Sequence, residues 1–183
     1  PFKVNPEGKV IWITGLSGSG KTTLAKEVVY RLRSVGQTVL MLDGDEMRQV
    51  FGATKDNSKN HCREGRLALA MQYARLCRLI ANQGATVVCS TISMFEEVHS
   101  WNRDNQPSYF EVYLKVPISE LRRRDPKGIY RNFDSGELEN VAGLDLPVDE
   151  PKQPDILFEF APNLKLKQMV DDFMSKLNYK EIL

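Results

Sequence analysis

The run Gly15-Leu16-Ser17-Gly18-Ser19-Gly20-Lys21-Thr22 has the full GxxxxGK[ST] spacing, and the chemistry of that spacing is phosphate binding. Gly15, Gly18 and Gly20 permit a tight turn whose successive N–H groups meet phosphate oxygens, with Ser17, Ser19 and Thr23 beside it. Lys21 brings a cation to the β- and γ-phosphates, and Thr22 brings a hydroxyl to Mg²⁺. The implied donor is a nucleoside triphosphate, ATP or GTP. Asp43-Gly44-Asp45 then offers two carboxylates. Asp45 is the candidate base for an attacking hydroxyl, and Asp43 its metal-holding or hydrogen-bonding partner. The plainer alternative is a turn at Asp43-Gly44 with Asp45 capping the next helix. Arg48, one helical turn on, suits an acceptor phosphate. Arg122-Arg123-Arg124-Asp125-Pro126-Lys127 gathers cations, of which Arg124 and Lys127 are the candidates for neutralising a transferring phosphoryl group; Arg131 follows them.

These residues need elements to position them. Lys9–Thr14 is β-rich and runs into the glycine turn, and Lys21–Ser34 has helical spacing with Leu24, Val28 and Leu32 on one face. Thr38–Leu42 is apolar on successive residues, which predicts a strand buried on both faces and places Asp43 and Asp45 just beyond its carboxyl end. Arg63–Asn82 reads as a helix, Ala85–Ser90 and Tyr109–Leu114 as buried strands, Ile118–Arg124 as a short helix, Ile156–Phe160 as a last strand and Asn163–Leu177 as a closing helix. Between residues 125 and 150, Pro, Gly and charged residues break every apolar run, and the length is that of a functional lid. Strands alternating with helices imply an α/β three-layer sandwich with a mostly parallel sheet, read as one domain over residues 1–183 with the glycine turn as its P-loop; the architecture alone does not identify the chemistry.

Composition narrows the partners. The 183 residues hold 42% hydrophobic and 27% charged residues, an ordinary globular balance. Lys and Arg total 25 against 24 Asp and Glu, a formal net charge of +1, so no bulk field favours nucleic acid or an anionic membrane. The three cysteines, Cys62, Cys77 and Cys89, and the two histidines, His61 and His99, lack the spacing of a zinc site. No stretch reaches 18 apolar residues and no basic-then-apolar leader opens the chain, which reads as cytoplasmic.

Taken in order, GLSGSGKTT (15–23), LDGDEMR (42–48), Ile92-Ser93, RDPKGIY (124–130), Gly136-Glu137, GLDLPVDEP (143–151) and Pro154-Asp155 make the chain resemble the adenylylsulfate kinase family along nearly its whole length. The resemblance implies transfer of the γ-phosphate of MgATP to the ribose 3′-hydroxyl of adenylylsulfate by a homodimeric enzyme. It also implies that Asp45 is the general base, that Arg48 and Arg66 bind the acceptor, and that Lys127 belongs to the lid motif. Ser93 matches the family serine regarded as a phosphoserine intermediate; direct transfer needs none, so Ser93 reads as an acceptor-site residue. Departures fall on the acceptor side. Leu69-Ala70-Met71-Gln72 stands where the family has Asn-Ile-Arg-Arg, two family phenylalanines that sandwich adenine fall near His61 and Val141, and Met94-Phe95-Glu96 follows Ser93 in place of Pro-aromatic-Arg. Fewer aromatic faces mean less adenine-specific contact. An enzyme resembling cytidine diphosphoramidate kinase, which serves capsule modification, is therefore the alternative to a role in sulfate assimilation. A nucleotide-hydrolysing P-loop switch is the alternative of another class.

Overall fold

The computed structural model describes residues 8–53 and 62–182. Five strands make one sheet: β1 (Val10–Thr14), β2 (Val39–Asp43), β3 (Thr86–Ser90), β4 (Tyr109–Lys115) and β5 (Ile156–Glu159). Their spatial order is β2-β3-β1-β4-β5, and every neighbouring pair is parallel. Parallel neighbours require crossovers, and these are helices: α1 (Lys21–Ser34), α2 (Gly44–Val50), α3 (Arg63–Ala81), α4 (Glu96–Asn105), α5 (Ile118–Arg124), α6 (Ile129–Asp134) and α7 (Leu166–Ile182). The mostly parallel α/β sandwich expected from the sequence is thus borne out.

Alternation along β1 divides the core. Ile11 and Ile13 pack with Leu24, Val28, Phe110, Val170 and Phe173 on the α1/α7 side. Val10 and Trp12 pack with Leu69, Tyr73, Ala74, Cys77 and Val98 on the α3/α4 side. Cys77 and Cys89 are buried free thiols, as small core residues should be. Among the described residues, no helix is long and apolar enough to cross a membrane, and no three or more His, Cys, Asp and Glu side chains gather as a metal-holding group.

Three expectations change. β2 is an edge strand and not buried on both faces; Leu40 is 41% exposed. The closing helix starts at Leu166, after a turn through Pro162 and Asn163, and runs to Ile182. Helix α4 had no apolar signal to reveal it, because its buried face consists of Val98, His99 and Asn102. Segment 125–150, expected to be loose, contains α6 and a turn bridged between Ala142 and Leu146, and it buries Tyr130, Val141 and Leu146.

Candidate active site

The glycine loop joins β1 to α1. A side chain at Gly15, where φ is +149°, would put its Cβ 2.6 Å from the Leu114 carbonyl oxygen, so the chain must be bare there to pass β4. Helix α1 begins at Lys21 with no side-chain cap and no acidic residue in its first turn. Its N-terminal N–H groups and the positive end of its dipole are left for an anion. Ser19 sits inside the loop with its hydroxyl buried and, among the described residues, without a hydrogen-bond partner, an orphan that a phosphate oxygen would satisfy. Lys21 Nζ donates to the Leu16 carbonyl oxygen at 2.8 Å. Burial lowers its pKa to about 8, with Lys127 adding to the effect and Asp45 and Asp43 opposing it.

Asp43 ends β2 and draws three donors. Thr22 Oγ1 and Ser90 Oγ donate to Oδ2 at 2.8 and 2.9 Å, and the Asp45 N–H donates to Oδ1 at 3.0 Å. The cap of α2 is therefore Asp43, which removes the alternative in which Asp45 does the capping. Burial raises the Asp43 pKa, but the Thr22, Ser90 and Asp45 hydrogen bonds, helped by Lys127, outweigh it and hold the group below the ordinary aspartate value. Asp45 is free to face outward and forms an ion pair with Lys127, both side chains being more than half exposed. Lys21, Asp43, Asp45 and Lys127 thus form one charged group at the carboxyl edge of the sheet, where an open α/β sheet gathers its ligands.

The residues expected to bind an acceptor are held by neighbouring backbone and side chains. Arg66 donates to the Asn140 carbonyl oxygen at 2.7 Å, and its pKa is lowered by burial and by the nearby Arg48. The Asp145 carboxylate closes the adjacent turn by accepting from the Asn140 and Val141 N–H groups at 2.7 and 2.6 Å. Ser93 is buried, its Oγ 2.8 Å from Thr91 Oγ1, and its φ of +27° is a strained value for a residue with a side chain. Of the departing positions, Leu69 and Ala70 are core residues against Tyr73 and Ala74, Gln72 is exposed, and Val141 is buried. His61 lies outside the described residues.

Arg124, expected at the transferring group, lies beside the glycine loop, with its Nη1 3.5 Å from the Gly18 carbonyl oxygen. Its guanidinium lies 5.1 Å from the Phe160 ring centroid and donates to Glu120 at 2.8 Å. With Ser19, Gly20, Thr23, Phe160 and Leu164 it lines an open cleft of about 260 Å³ beside the glycine loop. A flat cation over an aromatic ring beside a phosphate loop suits the base of the donor better than its γ-phosphate. Phe160 and Ser90 had no motif to mark them. Ser90 could be found only from its register opposite Asp43, and Phe160 only from its place just after β5.

A parallel sheet whose first strand feeds a glycine loop and an uncapped helix, with carboxylates at the end of the next strand but one in space, defines a P-loop nucleotide kinase. The family model described as adenylylsulphate kinase matches residues 7–159, and the chain belongs to that family. It is 34% identical to the cytidine diphosphoramidate kinase of Campylobacter jejuni, over 96% of this chain and 99% of the relative. It is 35% identical to a probable adenylyl-sulfate kinase of Aeropyrum pernix, over 88% of each chain. Among solved structures, the Mycobacterium tuberculosis APS kinase CysC in complex with AMPPNP and APS superposes with a TM-score of 0.84 at 31% identity, covering 94% of this chain and 99% of that one.

Proposed function

We propose that the protein transfers the γ-phosphate of ATP to the ribose 3′-hydroxyl of adenylylsulfate. The observation that carries the reading is the charged group at the sheet edge, in which the phosphate-loop Lys21 and Thr22 adjoin Asp43 and Asp45, with Arg48 and Arg66 beyond. Donor phosphates rest on the N–H groups of Gly15–Thr22 and on Lys21, the base lies in the cleft under Arg124 and Phe160, and Asp45 accepts the 3′-hydroxyl proton. Thr22 and Asp43 are hard oxygen donors 2.8 Å apart and fit Mg²⁺, which when bound neutralises phosphate charge. Lys127 and Ser93 complete the acceptor side. Segment 125–150 acts as the lid of a single kinase domain, and the enzyme works as a cytoplasmic homodimer.

The acceptor-side departures favour a second reading, a cytidine nucleotide carrying a phosphoramidate. Val141 is buried and aliphatic where an adenine-stacking ring is expected, and the match to the Campylobacter jejuni kinase runs the length of both chains. Steady-state kcat/KM with MgATP decides between them. Preference for adenylylsulfate supports the first reading, preference for the cytidine compound the second, and ATP hydrolysis indifferent to both acceptors would overturn the pair.

A further inference from the structure

Tyr130 is among the largest fully buried side chains, at 1% exposure, yet it belongs to α6 within the segment 125–150. Its hydroxyl donates to the Ser17 carbonyl oxygen at 2.9 Å. Ser17 is inside the glycine loop, so a side chain 113 positions away takes hold of the loop backbone. The loop there is a turn closed by the Ser19 N–H on the Leu16 carbonyl at 3.2 Å, with Gly18 at the third position and φ of +79°. Positive φ at that position is the type II pattern. The type I alternative has the same ends and differs by a flip of the central Ser17–Gly18 peptide. Glycine accepts both signs of φ, so Gly18 does not itself choose between them. A trans peptide is planar, with its carbonyl and N–H on opposite sides, so a hand on the Ser17 oxygen also sets where the Gly18 N–H points.

We propose that the Tyr130 hydroxyl is a positioning group for phosphate binding: by holding the Ser17 carbonyl it fixes the Ser17–Gly18 peptide and presents the Gly18 N–H to the donor phosphates. The cradle is then complete only while α6 is docked on it. Two close approaches bring the flanking parts of segment 125–150 against the same loop: Pro126 Cδ lies 3.5 Å from where a Gly18 Cβ would stand, and a Cβ at Gly143 would stand 2.7 Å from Leu16 Cδ1, so only a bare backbone fits there. Burial raises the Tyr130 pKa to about 12, so the hydroxyl keeps its proton and donates across the working pH range.

Tyr130→Phe keeps the ring and deletes the donor. It is expected to raise the KM for ATP and the inhibition constant for tripolyphosphate by the same factor, about 3- to 10-fold, as for one hydrogen bond. The acceptor KM and the thermal midpoint stay at wild-type values, which a merely structural role would not allow. Tripolyphosphate binding within twofold of wild type, or an equal rise in acceptor KM, would overturn the proposal. ¹⁵N-glycine labelling of the wild-type chain needs no variant: the Gly18 amide resonance must move when tripolyphosphate is added, and a silent Gly18 amide refutes the inference. The inference rests on Gly15–Thr22 holding the donor phosphates. Failure of wild-type protein to bind tripolyphosphate would sink that reading, whereas binding that ignores Tyr130→Phe sinks only the hydroxyl's role.

Discussion

Lys21 carries a charge in a place that burial makes unfavourable, and bound phosphate reverses that balance. Its folded pKa of about 8 lies below the ordinary 10.5. In the free protein the charge therefore opposes folding below pH 8, and the penalty fades as pH rises from about 8 to 10.5. Phosphate raises the same pKa, so MgATP binding should take up about three-quarters of a proton at pH 8.5, the fraction of Lys21 left unprotonated by a pKa of about 8. Titration calorimetry in two buffers of different ionisation enthalpy measures the uptake, and Lys21→Ala should abolish it and reduce transfer by roughly 10²-fold or more. Asp45 separates differently. Because Asp43 already caps α2, Asp45→Asn should leave the melting temperature nearly unchanged while kcat falls by roughly 10²–10⁴-fold. A normal single-turnover rate in the folded variant would remove Asp45 as the base. Lys21, Thr22, Asp43 and Asp45 were legible in the sequence because their spacing is local or tied to strand ends. The hold of Tyr130 on Ser17 and of Arg124 on Phe160 was not, since each joins distant segments through contacts that leave no periodic signal.

Elements with an apolar stripe declared themselves, and α4 did not. Its inward face meets a polar patch of the sheet. His99 Nδ1 lies 2.7 Å from Glu111 Oε1, and its Nε2 lies 3.2 Å from the Asp149 carbonyl oxygen. Arg103 and the Tyr109 hydroxyl also donate to Glu111, at 3.1 and 2.9 Å, and Asp155 accepts the Glu111 N–H at 2.8 Å. This network ties α4 and β4 to the stretch that returns from segment 125–150, so buried polar residues do here what leucines do in α1. A pattern search for apolar periodicity passes over such a helix. The edge position of β2 was equally hidden, because an apolar run states that a strand is covered without stating on how many sides. Removing one member of a buried network leaves the others unsatisfied, so His99→Ala should cost about 2–3 kcal/mol, read as a lower urea midpoint with an unchanged slope. A loss under about 0.5 kcal/mol would show that Glu111 is held well enough by Arg103 and Tyr109 alone.

Across the described residues, segment 125–150 reaches both the glycine loop and α3. Tyr130 bonds the glycine loop with Pro126 close by Gly18, Lys127 pairs with Asp45, and the Asn140 carbonyl accepts from the Arg66 guanidinium of α3. Beyond these single contacts the segment buries Tyr130, Val141 and Leu146 separately, in contrast to the continuous apolar face under α1 and α7. Opening this segment should therefore cost far less than unfolding the sheet, and ligands on both sides should close it more than either alone. The net charge of +1 gives no long-range field to gather two anionic substrates, so local closure must also overcome their mutual repulsion. Amide exchange over seconds to minutes tests this. With a non-hydrolysable ATP analogue and acceptor together, residues 126–146 should be protected by at least about tenfold over the free protein, with smaller protection from either ligand alone and β1 and β4 unchanged as an internal reference. Equal exchange in the free and ternary states would mean that the segment is a fixed wall of the site, and the coupling of donor to acceptor would have to lie in α2 and Asp45 instead.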